Sequence, residues 1–239
     1  MTNLVDLLGL GDRELVSLVG GGGKSTMLFG LGDELSSTGK RVILTTTTKM
    51  GRYQTTELTN ICWSADMDCV VDALDRPGFT MLVTGGDDHK VTGPPPEVVD
   101  HLFADSGADY IVVEADGSHG RPLKAPASHE PVVPSQTTMV VILMGIDAVG
   151  QTLGEVTHRV DEAVRFTDLE PSHVMTATDC ASVLVHPDGA LRCCPPGSRV
   201  LVALTKVKSE ADHRTAQAVT EAILAATPHV AVVVVPSTP

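Results

Sequence analysis

The sequence is poor in basic residues, in aromatic residues and in long apolar runs. Its 239 residues include 17 lysines and arginines against 30 aspartates and glutamates, which gives a net charge of −13. Such an acidic chain disfavours nucleic acid and anionic membranes as partners. No apolar run approaches the roughly 18 residues of a membrane span, and Met1–Asp6 lacks the basic start of a signal peptide. We therefore expect a cytoplasmic protein with no nucleic-acid partner and no membrane partner.

Cysteine and aromatic residues are too few to organise the fold. The five cysteines show no C-x-x-C spacing, so we expect free thiols rather than a disulfide framework or a zinc site. Aromatic residues make up 3% of the chain and hydrophobic residues 42%. A core of this size must therefore consist mostly of valine, leucine, alanine and isoleucine, which suits a buried parallel sheet.

The clearest motif is a run of four glycines between an apolar segment and a helical pattern, Leu18-Val-Gly-Gly-Gly-Gly-Lys-Ser-Thr26. Consecutive glycines let backbone N–H groups approach an anion, and the following helix adds its positive dipole end. Leu18 stands where G-x-x-x-x-G-K-[ST] needs its first glycine, so the loop is the shorter G-x-x-G-K-S. We expect it to bind the phosphates of ATP or GTP through Gly20, Gly21, Gly22, Gly23, Lys24, Ser25 and Thr26.

Strands and helices alternate along the sequence. Apolar strand patterns precede the glycine loop and recur at intervals, with helical patterns between them. This alternation predicts an α/β chain with a mostly parallel sheet, in a three-layer arrangement like that of P-loop NTPases. Residues 146–197 are less regular, which indicates a small helical insert. We expect one NTP-binding domain over residues 1–239.

Two carboxylates follow the apolar strand Tyr110–Glu114. A strand that delivers an acidic residue beside a phosphate loop is the Walker B arrangement, in which the carboxylate holds Mg²⁺ or orients a nucleophile. Glu114 and Asp116 alternate along the chain and can face one site. We expect Ser25, Glu114 and Asp116 to hold Mg²⁺, with Asp116 also a catalytic residue.

A run of four threonines follows the second apolar strand, Thr45 to Thr48, and leads into Lys49. Thr45 suits the strand itself because β-branched residues favour extended structure. The hydroxyls beyond the strand end lie where open parallel sheets place their ligands. We expect Thr47 and Thr48 to contact the γ-phosphate or Mg²⁺.

The loop Gly117–Pro131 concentrates cations in an otherwise acidic chain. It contains Arg121, Lys124 and His129, and three prolines stiffen it. Such a loop suits a second anionic group or the charge that develops on a transferred phosphoryl group. We expect Arg121, Lys124 and His129 to act beside Lys24 in catalysis or to face a second substrate.

The strand Val200–Leu204 runs into Thr205 and Lys206. Many GTPases place an [NT]-K-x-D sequence at such a strand end to bind a guanine base. Here the aspartate position is Lys208. We expect Thr205 and Lys206 to contact the nucleotide, with the choice between ATP and GTP left open.

Taken together, these motifs resemble the YqeC family, whose members are described as accessory proteins of selenium-dependent molybdenum hydroxylases. The resemblance rests on the segments 19–26, 44–50, 113–118, 120–126 and 129–131, and on two later pairs, His158-Arg159 and Thr205-Lys206. It implies a P-loop fold and a role in the maturation of such a hydroxylase or of its cofactor. A molybdenum hydroxylase or a cofactor-maturation protein is then an implied partner.

The function expected from the sequence is that of a Mg²⁺-dependent nucleotide-binding accessory protein of NTPase type. Two alternatives stay open. One is an ATP-dependent phosphotransferase or Mur-like ligase that acts on a small molecule. The other is a non-enzymatic nucleotide switch or cofactor-delivery scaffold.

Overall fold

The structure is a computed structural model that describes residues 3–236. The predicted domain over 1–239 stays a prediction, and residues 1–2 and 237–239 lie outside the described part. The strands of the described part, in chain order, are β1 (Glu14–Gly20), β2 (Val42–Thr46), β3 (Lys49–Gly51), β4 (Ile61–Cys62), β5 (Thr80–Leu82), β6 (Gly85–Gly86), β7 (Lys90–Thr92), β8 (Tyr110–Glu114), β9 (Leu123–Lys124), β10 (Met139–Gly145), β11 (Thr157–His158), β12 (Arg199–Val207) and β13 (Ala231–Pro236).

The helices lie between these strands. In chain order they are α1 (Leu4–Leu8), α2 (Lys24–Ser37), α3 (Met67–Leu74), α4 (Pro96–Asp105), α5 (Leu153–Val156), α6 (Val160–Thr167), α7 (Ala177–Leu184) and α8 (Glu210–Ala226). Three 3₁₀ turns occupy Arg52–Gln54, Ile146–Ala148 and Ala190–Cys193.

The central sheet of the described residues has the order β13-β12-β10-β1-β8-β2-β5-β4, and its pairings are parallel. Because the strands run the same way, their carboxyl ends share one edge of the sheet. Strand β1 lies between β8 and β10, and the chain crosses from one side of β1 to the other. The crevice outside β1 is therefore the switch point at which open α/β sheets bind ligands.

Both faces of the sheet are covered by helices. In β1, Leu15 and Val19 belong to the apolar cluster that includes residues of α8, whereas Val16 and Leu18 belong to the cluster that includes residues of α2. This alternation follows from the two-residue period of a strand. The predicted α/β, P-loop NTPase-like three-layer fold with a mostly parallel sheet is confirmed.

Two smaller features lie around the switch point. The insert at residues 146–197 contains α5, α6 and α7, and its strand β11 pairs with β9 in the cationic loop. A second sheet, here called the small sheet, consists of β3, β7 and β6 in antiparallel pairing. The sequence Gly85-Gly-Asp-Asp88 is typical of a turn or hairpin, whereas no pattern at 49–51 indicates a strand.

None of the helices within residues 3–236 has the length and apolar character needed to cross a membrane.

Candidate phosphate-binding site

The glycine loop joins β1 to α2 at the switch point. Gly22 has φ of +72°, and a Cβ there would lie 2.1 Å from the Gly145 nitrogen. A Cβ on Gly21 would lie 2.7 Å from the Arg121 carbonyl oxygen. These glycines are therefore required by close backbone packing against the end of β10 and against the cationic loop.

Backbone donors of the loop fall into two groups. The N–H groups of Gly20, Gly21 and Gly22 donate to Asp116 Oδ2, the Leu143 carbonyl and the Arg121 carbonyl, at 3.1, 2.9 and 3.1 Å. In the described part of the chain, the N–H groups of the next four residues, 23–26, have no protein acceptor. Residues 24–26 form the first turn of α2, where such donors are unsatisfied and the helix dipole is positive.

Lys24 is buried beside these donors and is already engaged. Its Nζ lies 3.2 Å from Asp116 Oδ1 and donates to the Gly20 carbonyl at 2.5 Å. Within residues 3–236, this buried Asp116 oxygen accepts no hydrogen bond. Lys24 is thus held at the loop by an ion pair and by its hydrogen bond to Gly20.

Ser25 and Glu114 meet at the start of α2. The Ser25 hydroxyl donates to Glu114 Oε2 at 2.8 Å, and Gln54 Nε2 donates to the same hydroxyl at 3.0 Å. Burial raises the pKa of Glu114, and the neighbouring Lys24 and the Ser25 hydrogen bond oppose that rise. Gln54 belongs to the turn after β3, and no sequence motif predicted its place beside the glycine loop.

These groups fit a magnesium ion that is shared with phosphate. A hydroxyl in contact with a carboxylate, together with the nearby carboxylate of Asp116, offers the oxygen ligands that Mg²⁺ prefers. Residues 3–236 contain no cluster of three or more histidine, cysteine or acidic side chains suited to a metal. This donor set therefore suits Mg²⁺ completed by phosphate and water, and not an all-protein metal cage.

The threonine run reaches the same edge of the sheet, but three of its four hydroxyls donate to backbone carbonyls, that of Thr45 to Leu82 at 2.8 Å. Thr46 donates to the Glu114 carbonyl at 2.7 Å, and Thr47 donates to the Val132 carbonyl at 2.6 Å. Thr48 lines the cavity over the loop, and its hydroxyl lies 3.2 Å from that of Thr46. Thr48 is the better placed of the two predicted threonines to contact a ligand.

Lys124 does not face solvent as a mobile cation. Its side chain has 0% exposure, and its Nζ lies 3.2 Å from Asp116 Oδ2 and 3.1 Å from Glu130 Oε2. Arg159 forms a two-pronged pair with Glu130 at 2.7 and 3.0 Å. We call Asp116, Lys124, Glu130 and Arg159 the inner charge cluster, and Lys24 links it to the glycine loop.

The charges of this cluster stabilise one another. Burial by itself would raise the pKa of Glu130, but hydrogen bonds from Arg159 and Lys124 and their positive charges lower it to about 2. Arg159 has φ of +65°, a strained value for a side chain of this size, and immediately precedes α6. Its sequence neighbours Asp161, Glu162 and Arg165 are typical of a solvated polar face, whereas the structure places Arg159 half-buried against Glu130.

Arg121 and His129 are exposed, and neither belongs to the lining of the cavity within the described residues. The Arg121 carbonyl rather than its guanidinium contacts the glycine loop, through Gly22. Their catalytic roles stay predictions.

Thr205 and Lys206 lie near the carboxyl end of β12, on the other side of the loop. The Thr205 hydroxyl donates to the Gly22 carbonyl and, at 3.1 Å, to the Met144 carbonyl. Lys206 has φ of +63°, pairs with Asp147 at 2.7 Å and lines the cavity. Thr205 therefore supports the loop, and Lys206 is the one of the two that can face a nucleotide.

An open cavity of about 810 Å³ covers the glycine loop. One wall carries His119 and His158, whose rings stack with centroids 4.8 Å apart. Burial and the nearby charges of Lys124, His119 and Arg159 lower the pKa of His158 to about 4, so its imidazole is neutral at pH 7. Residues 49–51 and Lys90 of the small sheet also line this cavity.

Comparison with known proteins identifies the family to which this sequence is similar. The model of the family described as "YqeC protein" matches residues 16–161. The "Uncharacterized protein YqeC" of Escherichia coli (strain K12) is 36% identical over 192 residues, which cover 77% of this chain and 73% of that protein.

Two solved structures are similar to this chain at 11% sequence identity. The hydrogenase maturation factor HypB from Archaeoglobus fulgidus gives a TM-score of 0.43 over 97% of this chain and 85% of its own. HypB from Helicobacter pylori in complex with nickel gives 0.38 over 94% and 79%. The family match and the 36% identity establish that this chain belongs to the YqeC family.

Proposed function

We propose that this protein binds a nucleoside triphosphate together with Mg²⁺ and acts as an NTPase-type accessory protein. The observation that carries the proposal is the row of N–H groups at residues 23–26, which lack protein acceptors at the start of a 14-residue helix. A triphosphate supplies the acceptors and the negative charge that this helix start favours.

Each side chain at the loop has a role in this proposal. Lys24 exchanges Asp116 for the β- and γ-phosphates, while Asp116 keeps Lys124 and the Gly20 N–H as partners. Ser25 and Glu114 would hold Mg²⁺, which neutralises charge on the phosphates when it is bound. Thr48 lies at the γ-phosphate end and Lys206 at the base end. ATP and GTP are both candidate nucleotides for this site.

The cellular role proposed for this activity is the maturation of a selenium-dependent molybdenum hydroxylase or of its cofactor, in the cytoplasm. It rests on the family resemblance. A molybdenum hydroxylase that is retained by the protein only in the presence of nucleotide and Mg²⁺ would support it. Retention that is equal with and without nucleotide would argue against it.

A phosphotransferase or ligase activity is the second candidate, and the extent of the cavity favours it. The lining continues past the glycine loop to Tyr53 and Lys90, which a nucleotide between the loop and Lys206 does not need. A phosphorylated or condensed small-molecule product would distinguish this activity from simple release of phosphate.

The test of nucleotide binding is a thermal shift with ATP, GTP and CTP, each with and without Mg²⁺. A ligand at 100 times its Kd stabilises a folded protein by about 2.7 kcal/mol. We expect at least one nucleotide to raise the Tm of the wild type and to have little effect on Lys24→Ala. An equal shift in both proteins, or no shift in the wild type, would overturn the proposal.

A further inference from the structure

The residues that line the cavity lie on both sides of the glycine loop, and we call these two sides its arms. Lys206, near the end of β12, lines the first arm, and β12 is separated from β1 by β10. The small sheet lines the second arm and follows β2, which is separated from β1 by β8. The proposed nucleotide occupies the first arm, with its γ-phosphate towards Glu114. The second arm lies beyond that phosphate, and the nucleotide leaves it free.

An exposed aromatic ring lines the second arm. Tyr53 has 76% of its surface exposed in a chain with only two tyrosines, and it lines the cavity. The ring lies against Gly51, where a Cβ would come within 2.3 Å of the Tyr53 Cε1 atom. Because the Gly51 backbone supports one side of the ring, Tyr53 is a preorganised stacking surface.

Two lysines flank this ring. Lys49 is the first residue of β3, and Lys90 on β7 is the register partner of Gly51. Both are exposed and line the cavity, and within residues 3–236 neither forms an ion pair. In a chain with net charge −13, two such lysines on one cavity wall favour an anionic ligand.

The second arm is connected directly to the glycine loop. Gln54, adjacent to Tyr53, donates to the Ser25 hydroxyl at 3.0 Å. A ligand on Tyr53 is therefore placed next to the proposed Mg²⁺ and γ-phosphate position. Stacking and charge on one wall, beside a reactive phosphate, define the chemistry of a second substrate.

We propose that Lys49, Tyr53 and Lys90 form a subsite for a second ligand, a phosphorylated aromatic heterocycle. Tyr53 stacks on the heterocycle, and the two lysines bind its phosphate. This inference rests on the proposed nucleotide function and names the class of substrate that would occupy the other arm of the same cavity.

The experiment is a two-stage titration calorimetry measurement on the full chain. The first stage loads the protein with Mg²⁺ and a non-hydrolysable analogue of ATP or GTP. The second stage titrates the loaded protein with AMP, GMP, CMP or flavin mononucleotide. Adenosine and riboflavin test the ring without phosphate, and ribose 5-phosphate and inorganic phosphate test the anion without the ring.

We expect at least one phosphorylated heterocycle to bind the loaded protein, and the ring-only and anion-only probes to bind about tenfold more weakly or worse. Tyr53→Ala should lower the affinity for that heterocycle about tenfold, and Tyr53→Phe should restore it. Lys49→Ala and Lys90→Ala should each weaken it. Lys40→Ala, before β2 at the opposite edge of the sheet, is the matched control and should leave it unchanged.

The two proposals fail in different ways. If the analogue does not bind in the first stage, the nucleotide function is wrong, and this inference falls with it. If the analogue binds but no phosphorylated heterocycle binds to the loaded protein, only the proposal of the second subsite is wrong. Equal weakening of analogue and heterocycle by Tyr53→Ala would also overturn the subsite, because Tyr53 would then belong to the nucleotide site.

Discussion

The glycine loop and the inner charge cluster, which Lys24 connects, differ in how far their polar groups are paired. On the side of the glycine loop, the N–H groups of residues 23–26 have no protein acceptor in the described chain. On the side of the inner charge cluster, buried acids and bases are paired at 2.7–3.2 Å. Unmatched donors indicate a binding site, whereas matched buried charges indicate a support that fixes its position. Lys24 belongs to both regions, so a ligand at the first changes the charge balance of the second.

The largest effect should come from removing the centre of the support. Lys124→Ala leaves Asp116 and Glu130 buried together without the ammonium between them. Loss of one partner from a buried ion pair typically costs about 3–5 kcal/mol. We expect a loss of this size in the free energy of unfolding, measured with urea.

The matched control is Arg165→Ala, which breaks the exposed pair of Arg165 with Glu162. Exposed pairs of this kind contribute about 0.5 kcal/mol or less. A similar loss in both variants would remove the distinction between the cluster and an ordinary surface pair.

The next effect is the acid sensitivity of the same support. Glu130 titrates near its ordinary pKa of 4.5 when the chain is unfolded and at about 2 when it is folded. Its stabilisation is therefore complete above pH 4.5 and is lost as the pH falls towards 2. We expect the stability of the wild type to decline in this window, and that of Glu130→Gln to decline less steeply. The free energy of unfolding of both proteins is measured with urea at each pH. An equal decline in both proteins as the pH falls would contradict the assignment.

At the glycine loop, Lys24→Ala should mainly lower the affinity for the nucleotide. A charge-assisted hydrogen bond contributes about 1.5–3 kcal/mol, so nucleotide affinity should fall about 10- to 100-fold by calorimetry. The fold should be affected less than in Lys124→Ala, because Asp116 keeps Lys124 and the Gly20 N–H. If Lys24→Ala lowered the free energy of unfolding as much as Lys124→Ala, Lys24 would act only as a structural partner of the inner charge cluster and not in ligand binding.

The smallest effect concerns the metal. Glu114→Gln removes the negative charge beside Ser25 but keeps an oxygen that can accept its hydrogen bond. We expect the Mg²⁺-dependent gain in nucleotide affinity to shrink several-fold, while affinity without Mg²⁺ changes little. An unchanged Mg²⁺ effect would remove Glu114 from the metal site.

The sequence was informative where neighbouring residues determine the structure. The local apolar pattern indicates the strand Tyr110–Glu114 and the helix Glu210–Ala226. The glycine loop can be recognised because its glycines, Lys24 and Ser25 are consecutive in the sequence. In contrast, the burial of Lys124 depends on Asp116, Glu130 and Arg159, which are brought together only by the fold. Lys124 is therefore part of an internal ion-pair cluster, whereas Arg121 and His129 of the same loop are exposed.

The small sheet was missed for a related reason. Strands of two or three residues are too short to show a period, and Gln54 belongs to no motif. Its contact with Ser25 spans 29 positions in the chain. Only the fold, which places the turn after β3 over the glycine loop, makes that residue part of the site.

The most direct test of the central claim is a crystal structure of the protein with Mg²⁺ and a non-hydrolysable ATP or GTP analogue. We expect the phosphates to accept hydrogen bonds from the N–H groups of residues 23–26, with Lys24 moved from Asp116 to the phosphates. The inner charge cluster should keep its pairs through Lys124. A structure in which Lys24 stays on Asp116 and the analogue binds away from α2 would contradict the account.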